Sequence, residues 1–320
     1  MKKKPNFQKA FKELSRSTVA GIPGVWVVES GKPGPAVGIT VMTHGNEPSG
    51  LAVYHYFRHI YRLNDRIQRG SIYFVLNNPG ATRKYLVAVA ERDEKKKKEA
   101  RFVDVNMNRL PNDTLSLSRS KKYEIRRARA LRPIWDRLEY ALDIHSVREH
   151  RIPAMIIALR RSALGLVSRF PIKTIISSID DVQAGKPACY FFGRKRGEVY
   201  GIEAGSHEAK SSFRRAITCT RTFLGLLGVI SPAHLPLAQD QVEYRVFDAV
   251  WFPDESYELT RKIKSFQPIK RGEVLARGNG KPIIAKTDCY ALMPPRGKKP
   301  VNITEEVMFL TKAINRSARR

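Results

Sequence analysis

The stretch AVGITVMTHGNEPSG, residues 36–50, decides the architecture. Residues 36–43 form an apolar run of the kind found in a strand buried on both faces. His44, Gly45, Asn46 and Glu47 follow at once. Pro48 and Ser49 then suit a first helical turn, and Leu51, Tyr54, His55 and Arg58 carry a helical pattern to about Leu63. A strand that runs through a polar turn into a helix is one unit of an α/β fold. Working outward, residues 25–28, 72–77, 141–146, 154–158 and 199–204 read as further strands, and 123–138 and 211–227 as helices, with Pro133 expected to kink or end the first of these. The alternation predicts a mixed sheet with parallel members, flanked by helices, whose ligands gather beyond the carboxyl ends of the strands.

The texture changes around residues 229–241, where Pro232 and Pro236 sit in a mostly uncharged stretch. Beyond it come short strand-like runs at 244–250, 257–263, 273–276, 282–285 and 290–293, punctuated by Gly272, Gly278, Gly280 and Pro294. This pattern predicts a small all-β domain. The expected division is therefore 1–231 for an α/β domain and 241–320 for the β-rich one, which suits a chain of 320 residues. Residues 92–100 read as a charged, mobile loop and 317–320 as a basic tail.

Composition narrows the function. Hydrophobic residues make up 42%, enough for a sizeable core, so wholesale disorder is excluded. Cys189, Cys219 and Cys289 are widely spaced and form no CxxC pair, which argues against a disulfide framework and a thiolate metal site. The basic N-terminus has no apolar run behind it, and the apolar stretch 223–230 is too short to span a bilayer. The expectation is a soluble, cytoplasmic protein with no membrane partner. A net charge of +28 attracts anions, whether nucleic acid or small carboxylates. Arg119, Lys121, Lys122, Arg126, Arg127, Arg129, Arg132 and Arg137 concentrate charge in 118–138, but without interleaved aromatics or a known module. A solvated basic helix face is therefore preferred to a nucleic-acid site.

Four polar clusters interrupt the apolar pattern. His44 and Glu47, three apart in a turn, can converge on one metal ion, with Gly45 allowing a tight bend. Taken singly, a His near a helix start and a Glu favoured by the helix dipole explain the same residues. Asp143 and His145 fall on one face of a strand, where burial demands a partner or a metal; an Asp–His pair at a sheet edge would also satisfy them. Glu203, between Gly201 and Gly205, ends another apolar strand and fits a general base, although a solvent-facing Glu is the plainer reading. Arg101, Asp104, Asn108 and Arg109 share a long connection, the kind of segment that carries function. Surface ion pairing with Asp104 is the alternative there.

In this order, HGNE (44–47), RxxDxxxNR (101–109), DxH (143–145) and GIExG (201–205) resemble the succinylglutamate desuccinylase/aspartoacylase family, a branch of the zinc carboxypeptidase-like superfamily. The resemblance runs from about residue 36 to 205 and more faintly beyond. It implies one zinc ion per chain on His44, Glu47 and His145, with Glu203 as the base that activates water and Arg101 polarising the scissile carbonyl. Asn108 and Arg109 would clamp the substrate's α-carboxylate, and Asp143 and Asp104 would support the ligands from behind. The implied reaction is hydrolysis of the amide bond of a small anionic N-acyl amino acid. A peptidase using the same residues is the alternative, and monomer or homo-oligomer stays open. The chain also departs from the aspartoacylase pattern. Asn106 stands where those enzymes have Asp. Gly193, with Arg194 and Arg196 adjacent, stands where they have Arg. Met293-Pro294 stands where they have Tyr-Pro, with Tyr290 nearby. Arg194 and Tyr290 are the candidates to replace those substrate contacts.

Overall fold

A computed structural model describes residues 5–110, 119–147, 152–159, 164–185, 197–232, 238, 240–300 and 303–316. The chain divides into two compact units, Met1–Ile172 with Gly185–Ala238, and Lys173–Ala184 with Gln239–Arg320. Lys173–Ala184 thus groups with the C-terminal part although some fifty residues of chain separate them (roughly, by sequence position).

The first unit opens with α1 (Phe7–Arg16), whose N-terminus is capped by Asn6 accepting the Lys9 N–H at 2.9 Å. Ala10 and Leu14 are buried, three and seven positions after Phe7, so the helix period was present beneath the surrounding lysines. A short hairpin, β1 (Thr18–Val19) and β2 (Ile22–Pro23), leads to β3 (Val25–Glu29). Next come β4 (Ala36–Val41), α2 (Ser49–His55), which passes into a π turn at Tyr56–Ile60, and β5 (Ser71–Leu76). α3 (Pro79–Ala90), α4 (Glu94–Glu99) and α5 (Tyr123–Trp135) precede β6 (Tyr140–Val147) and β7 (Met155–Ala158). After α6 (Leu164–Val167) and β8 (Thr174–Ser177), a strand of the second unit, β9 (Glu198–Ser206) and α7 (Lys210–Leu226) complete the first unit's elements.

The first unit's strands lie in the order β7-β9-β6-β4-β5-β3. β5, β4, β6 and β9 are parallel, and antiparallel β3 and β7 pair with β5 and β9. The mixed sheet with flanking helices matches the predicted class. β4 and β6 are buried along nearly their whole length, which explains why they read as apolar runs rather than alternating ones.

Two local expectations change. The charged stretch 92–100 holds the helix α4, with Asp93 accepting the Lys96 N–H at 2.9 Å and lysines in the last turn. Acid at the start and base at the end suit the helix dipole, and this local electrostatic order outweighs the lack of an apolar face. Pro133 lies inside α5, which ends two residues later. The α5 face is not wholly solvated: Arg127 is buried, and its guanidinium donates to the carbonyl oxygens of Leu76 at 2.7 Å and Asn77 at 3.3 Å, beyond the end of β5. Burial lowers its pKa to about 10.

In the second unit, β8 runs parallel to β10 (Gln241–Val250). A three-stranded sheet joins β11 (Glu258–Leu259), β13 (Val274–Arg277) and β14 (Ile283–Ile284). β12 (Pro268–Ile269) pairs with β15 (Cys289–Leu292), and β15 and β10 both pair antiparallel with β16 (Met308–Arg316). Its core packs Phe252, Tyr257, Leu259, Leu275 and Met308 together. Among the described residues, no helix is long and apolar enough to cross a membrane.

Candidate metal centre

Register brings the polar residues of distant segments together. Thr40 on β4 pairs with Asp143 on β6, and His145 pairs with Glu203 on β9. Because side chains alternate along each strand, Asp143, His145 and Glu203 share one face at the carboxyl end of the parallel strands. β4 ends at Val41, and the next residue, buried Met42, has φ of 57°, a left-handed bend that Met rarely adopts. The bend leads the chain into Thr43 and His44. Gly45 is needed here for space rather than for a positive φ. A Cβ on it would lie 2.3 Å from the Ala81 carbonyl carbon and 2.4 Å from the Ala100 oxygen. Its N–H donates to the Arg101 carbonyl at 3.0 Å, which ties the His44 turn to the 101–109 segment.

Glu47 lies between the two histidines. Its Oε1 is 2.8 Å from His44 Nδ1 and its Oε2 is 2.9 Å from His145 Nδ1. Arg101 Nη1 donates to Oε1 at 3.0 Å and the Ser146 N–H to Oε2 at 3.1 Å. All three residues are buried. Burial alone would raise the Glu47 pKa, but the His44 and His145 imidazoles outweigh it and hold the carboxylate well below its usual range.

The remaining imidazole nitrogens are also committed. His145 Nε2 lies 2.9 Å from Asp143 Oδ2, while Asp143 Oδ1 accepts the hydroxyls of Thr40 and Thr43, each at 2.8 Å. His44 Nε2 lies 3.0 Å from Asn106 Oδ1. That oxygen also accepts the Asn108 N–H at 2.9 Å, which fixes it as the carbonyl end of the amide. An amide oxygen can only accept, so His44 must donate from Nε2. Burial, with Arg101 adding, lowers the His44 pKa to about 4. With Nε2 turned to Asn106, the ring presents Nδ1 to the Glu47 carboxylate oxygen at 2.8 Å, so these two atoms are placed to share one cation.

His44, Glu47 and His145 each offer a ligand atom, all within 4.8 Å of one another, the only group of this kind among the described residues. Two imidazoles and a carboxylate are a donor set that suits zinc. Glu203 stands beside them. Its Oε2 is buried without a hydrogen-bond partner. Burial, to which Glu47 adds, raises its pKa to about 8 against the pull of His145 and Arg101.

The other nominated residues divide. The Asn108 side-chain amide lies 3.3 Å from His145 Nε2. Arg109 Nη1 donates to the Asn108 carbonyl at 2.9 Å. Asp104 accepts the Tyr123 N–H at 2.6 Å, and the side chain behind His44 is Asn106, which the sequence reading counted only as a missing carboxylate. Thr40, Thr43 and Glu124, all buried, were also missed. Only Thr40 and Thr43 carried a signal, as hydroxyls at the end of an apolar strand. Gly193, Arg194 and Arg196 lie outside the described residues. Tyr290 lies on β15 in the second unit, its ring edge-on to Tyr244 at 5.7 Å between centroids.

Residues 33–171 match the family model for the succinylglutamate desuccinylase/aspartoacylase catalytic domain. No curated protein sequence is significantly similar to the chain. Among solved structures, the chain is similar to succinylglutamate desuccinylase from Vibrio parahaemolyticus, with a TM-score of 0.70 and 15% identity over 91% of this chain and 86% of that one. The corresponding enzyme from Vibrio cholerae gives 0.68 and 16%, over 92% and 89%. Murine aminoacylase 3 gives 0.58 and 18%, over 89% and 97%. At these identities the structural likeness speaks for the fold, and the sequence model speaks for the segment it matches. Over residues 33–171, then, the chain is similar in sequence to the succinylglutamate desuccinylase/aspartoacylase catalytic domain, and it shares the fold of the solved structures named above.

Proposed function

We propose that the protein is a zinc-dependent amidohydrolase that removes the acyl group from small N-acyl amino acids, holding one zinc ion on His44, Glu47 and His145. The observation that carries this reading is a buried His–Glu–His set beside a buried carboxylate oxygen, on Glu203, that has no partner. The family match, and neighbours named as a desuccinylase and an aminoacylase, support the reaction class.

A bound zinc ion supplies Lewis acidity, to the substrate carbonyl and to water. Glu203 accepts at a carboxylate oxygen the proton lost by the attacking water. As the carbon–nitrogen bond breaks, it returns that proton to the departing amine nitrogen. A nearby divalent cation favours the ionised carboxylate, so the raised pKa of Glu203 belongs to the metal-free protein and falls on loading. Arg101, partly exposed while it donates to Glu47, directs its positive charge toward the developing oxyanion. Asn108 and Arg109 hold the free carboxylate of the substrate.

The direct test is metal analysis of purified protein together with a screen of N-acyl amino acids. About one zinc per chain is expected, with hydrolysis that a chelator abolishes and added zinc restores. Full activity in metal-free protein, or zinc-loaded protein inert toward every N-acyl amino acid, would overturn the reading.

A further inference from the structure

We infer that Glu124 is the positioning residue that holds the 101–109 segment, and with it Arg101, Asn106 and Asn108, against the metal-ligand set. The inference rests on the function proposed above, since the placement matters to catalysis only if those side chains act on substrate and ligands. The segment has little regular structure of its own: a single short 3-10 turn, Met107–Arg109. Its backbone N–H groups must find partners elsewhere. Glu124 supplies them. Its Oε1 accepts the Val103 N–H at 2.6 Å and Asn78 Nδ2 at 3.0 Å, and its Oε2 accepts the N–H groups of Asp104 and Val105, each at 3.0 Å.

A Glu in the first turn of a helix ordinarily faces water near its own helix's N–H groups. Glu124 is 0% exposed, and every hydrogen bond named above goes to a group outside α5. The grip is reciprocal, because Asp104 accepts the Tyr123 N–H at 2.6 Å, and the Tyr123 hydroxyl accepts the Gly80 N–H at 2.9 Å. On either side of this clamp the segment delivers its cargo. Arg101 donates to Glu47 at 3.0 Å, Asn106 holds His44 at 3.0 Å, and Asn108 lies 3.3 Å from His145. One carboxylate thus accepts the N–H groups of three consecutive residues. The hydrogen bonds of Glu124 named above go to Asn78 and to the segment, so its effect on the three proposed ligands is transmitted by the segment.

The test compares the parent with Glu124→Gln, which keeps shape but places an NH₂ donor against backbone donors. Amide hydrogen exchange, zinc content, kcat and KM are measured on zinc-loaded protein. The parent is expected to protect the amides of Val103, Asp104 and Val105. In the variant these amides should exchange faster while those of β6 and β9 keep their rates and zinc content is unchanged. kcat/KM should fall on the order of 10²-fold, the scale of an ångström's misplacement, with both a lower kcat and a higher KM. Unprotected amides in the parent would overturn the inference without any variant. So would unchanged kcat/KM in the folded variant, or faster exchange across the whole first unit with loss of zinc, which would mark Glu124 as a general stability residue. If the parent hydrolyses no N-acyl amino acid, the proposed function fails, and local exchange at Val103–Val105 alone decides whether Glu124 holds the segment.

Discussion

The two histidine-bearing regions of the centre offer the same imidazole to the same carboxylate, yet they are tuned in opposite directions. His145 lies between two acids, Asp143 behind it and Glu47 before it, and their charges outweigh burial and raise its pKa well above the usual value. His44 faces Glu47 too, but behind it stands the neutral amide of Asn106, and burial with the nearby Arg101 lowers its pKa to about 4. The difference teaches that each imidazole is tuned by its own surroundings, with a carboxylate behind His145 and a neutral amide behind His44. One side of the centre is electron-rich and anchored by a carboxylate that two threonine hydroxyls steady. The other is electron-poor and held by an amide.

The largest expected effect treats the two sides alike. His44→Ala and His145→Ala should each lose bound zinc and activity together, read by metal analysis and rate. Full zinc occupancy in either variant would remove that residue from the ligand set. The next effect separates chemistry from binding. Glu203→Gln should keep zinc while kcat falls on the order of 10²- to 10⁴-fold. A fully active variant would show that the base lies elsewhere.

Two charge swaps then sharpen the contrast directly. Asp143→Asn makes the His145 side resemble the His44 side, and zinc affinity should drop about 10- to 100-fold in a competition titration with a chelator. Asn106→Asp does the reverse and should raise affinity by about 10-fold. If both swaps leave affinity unchanged, the asymmetry has no bearing on the metal. The smallest effect concerns substrate. Arg109→Met should weaken substrates with a free α-carboxylate by about 1.5–3 kcal/mol and leave amidated analogues unaltered, as measured by kcat/KM for the acid–amide pair. Equal losses for both analogues would show that Arg109 does not read the carboxylate.

Much of this frame was legible before the structure. β4, β6 and β9 stood out because central strands are apolar on both faces, and a polar residue at the end of such a run is conspicuous. His44, Glu47, Asp143, His145 and Glu203 were nominated on that ground and by the order of their motifs, and the fold brings them together. Other features were harder to read. α4 looked like a loop because its stability lies in end charges and a cap rather than in an apolar stripe. β8 was missed as well, and its pairing with β10, Thr174 with Val242, leaves no local trace.

The sequence by itself determined which residue types stand at the ends of the buried strands, because apolar periodicity and its interruptions are local properties of the chain. Only the tertiary structure decided what stands behind each of them. Asn106 reaches His44 across 62 positions, Thr40 reaches Asp143 across 103, and Glu124 reaches back about twenty residues to Val103–Val105. Such contacts depend on strand register and on how a loop is pinned. A hydrogen bond between distant segments is selected by geometry to within a few tenths of an ångström, which no spacing along the chain encodes.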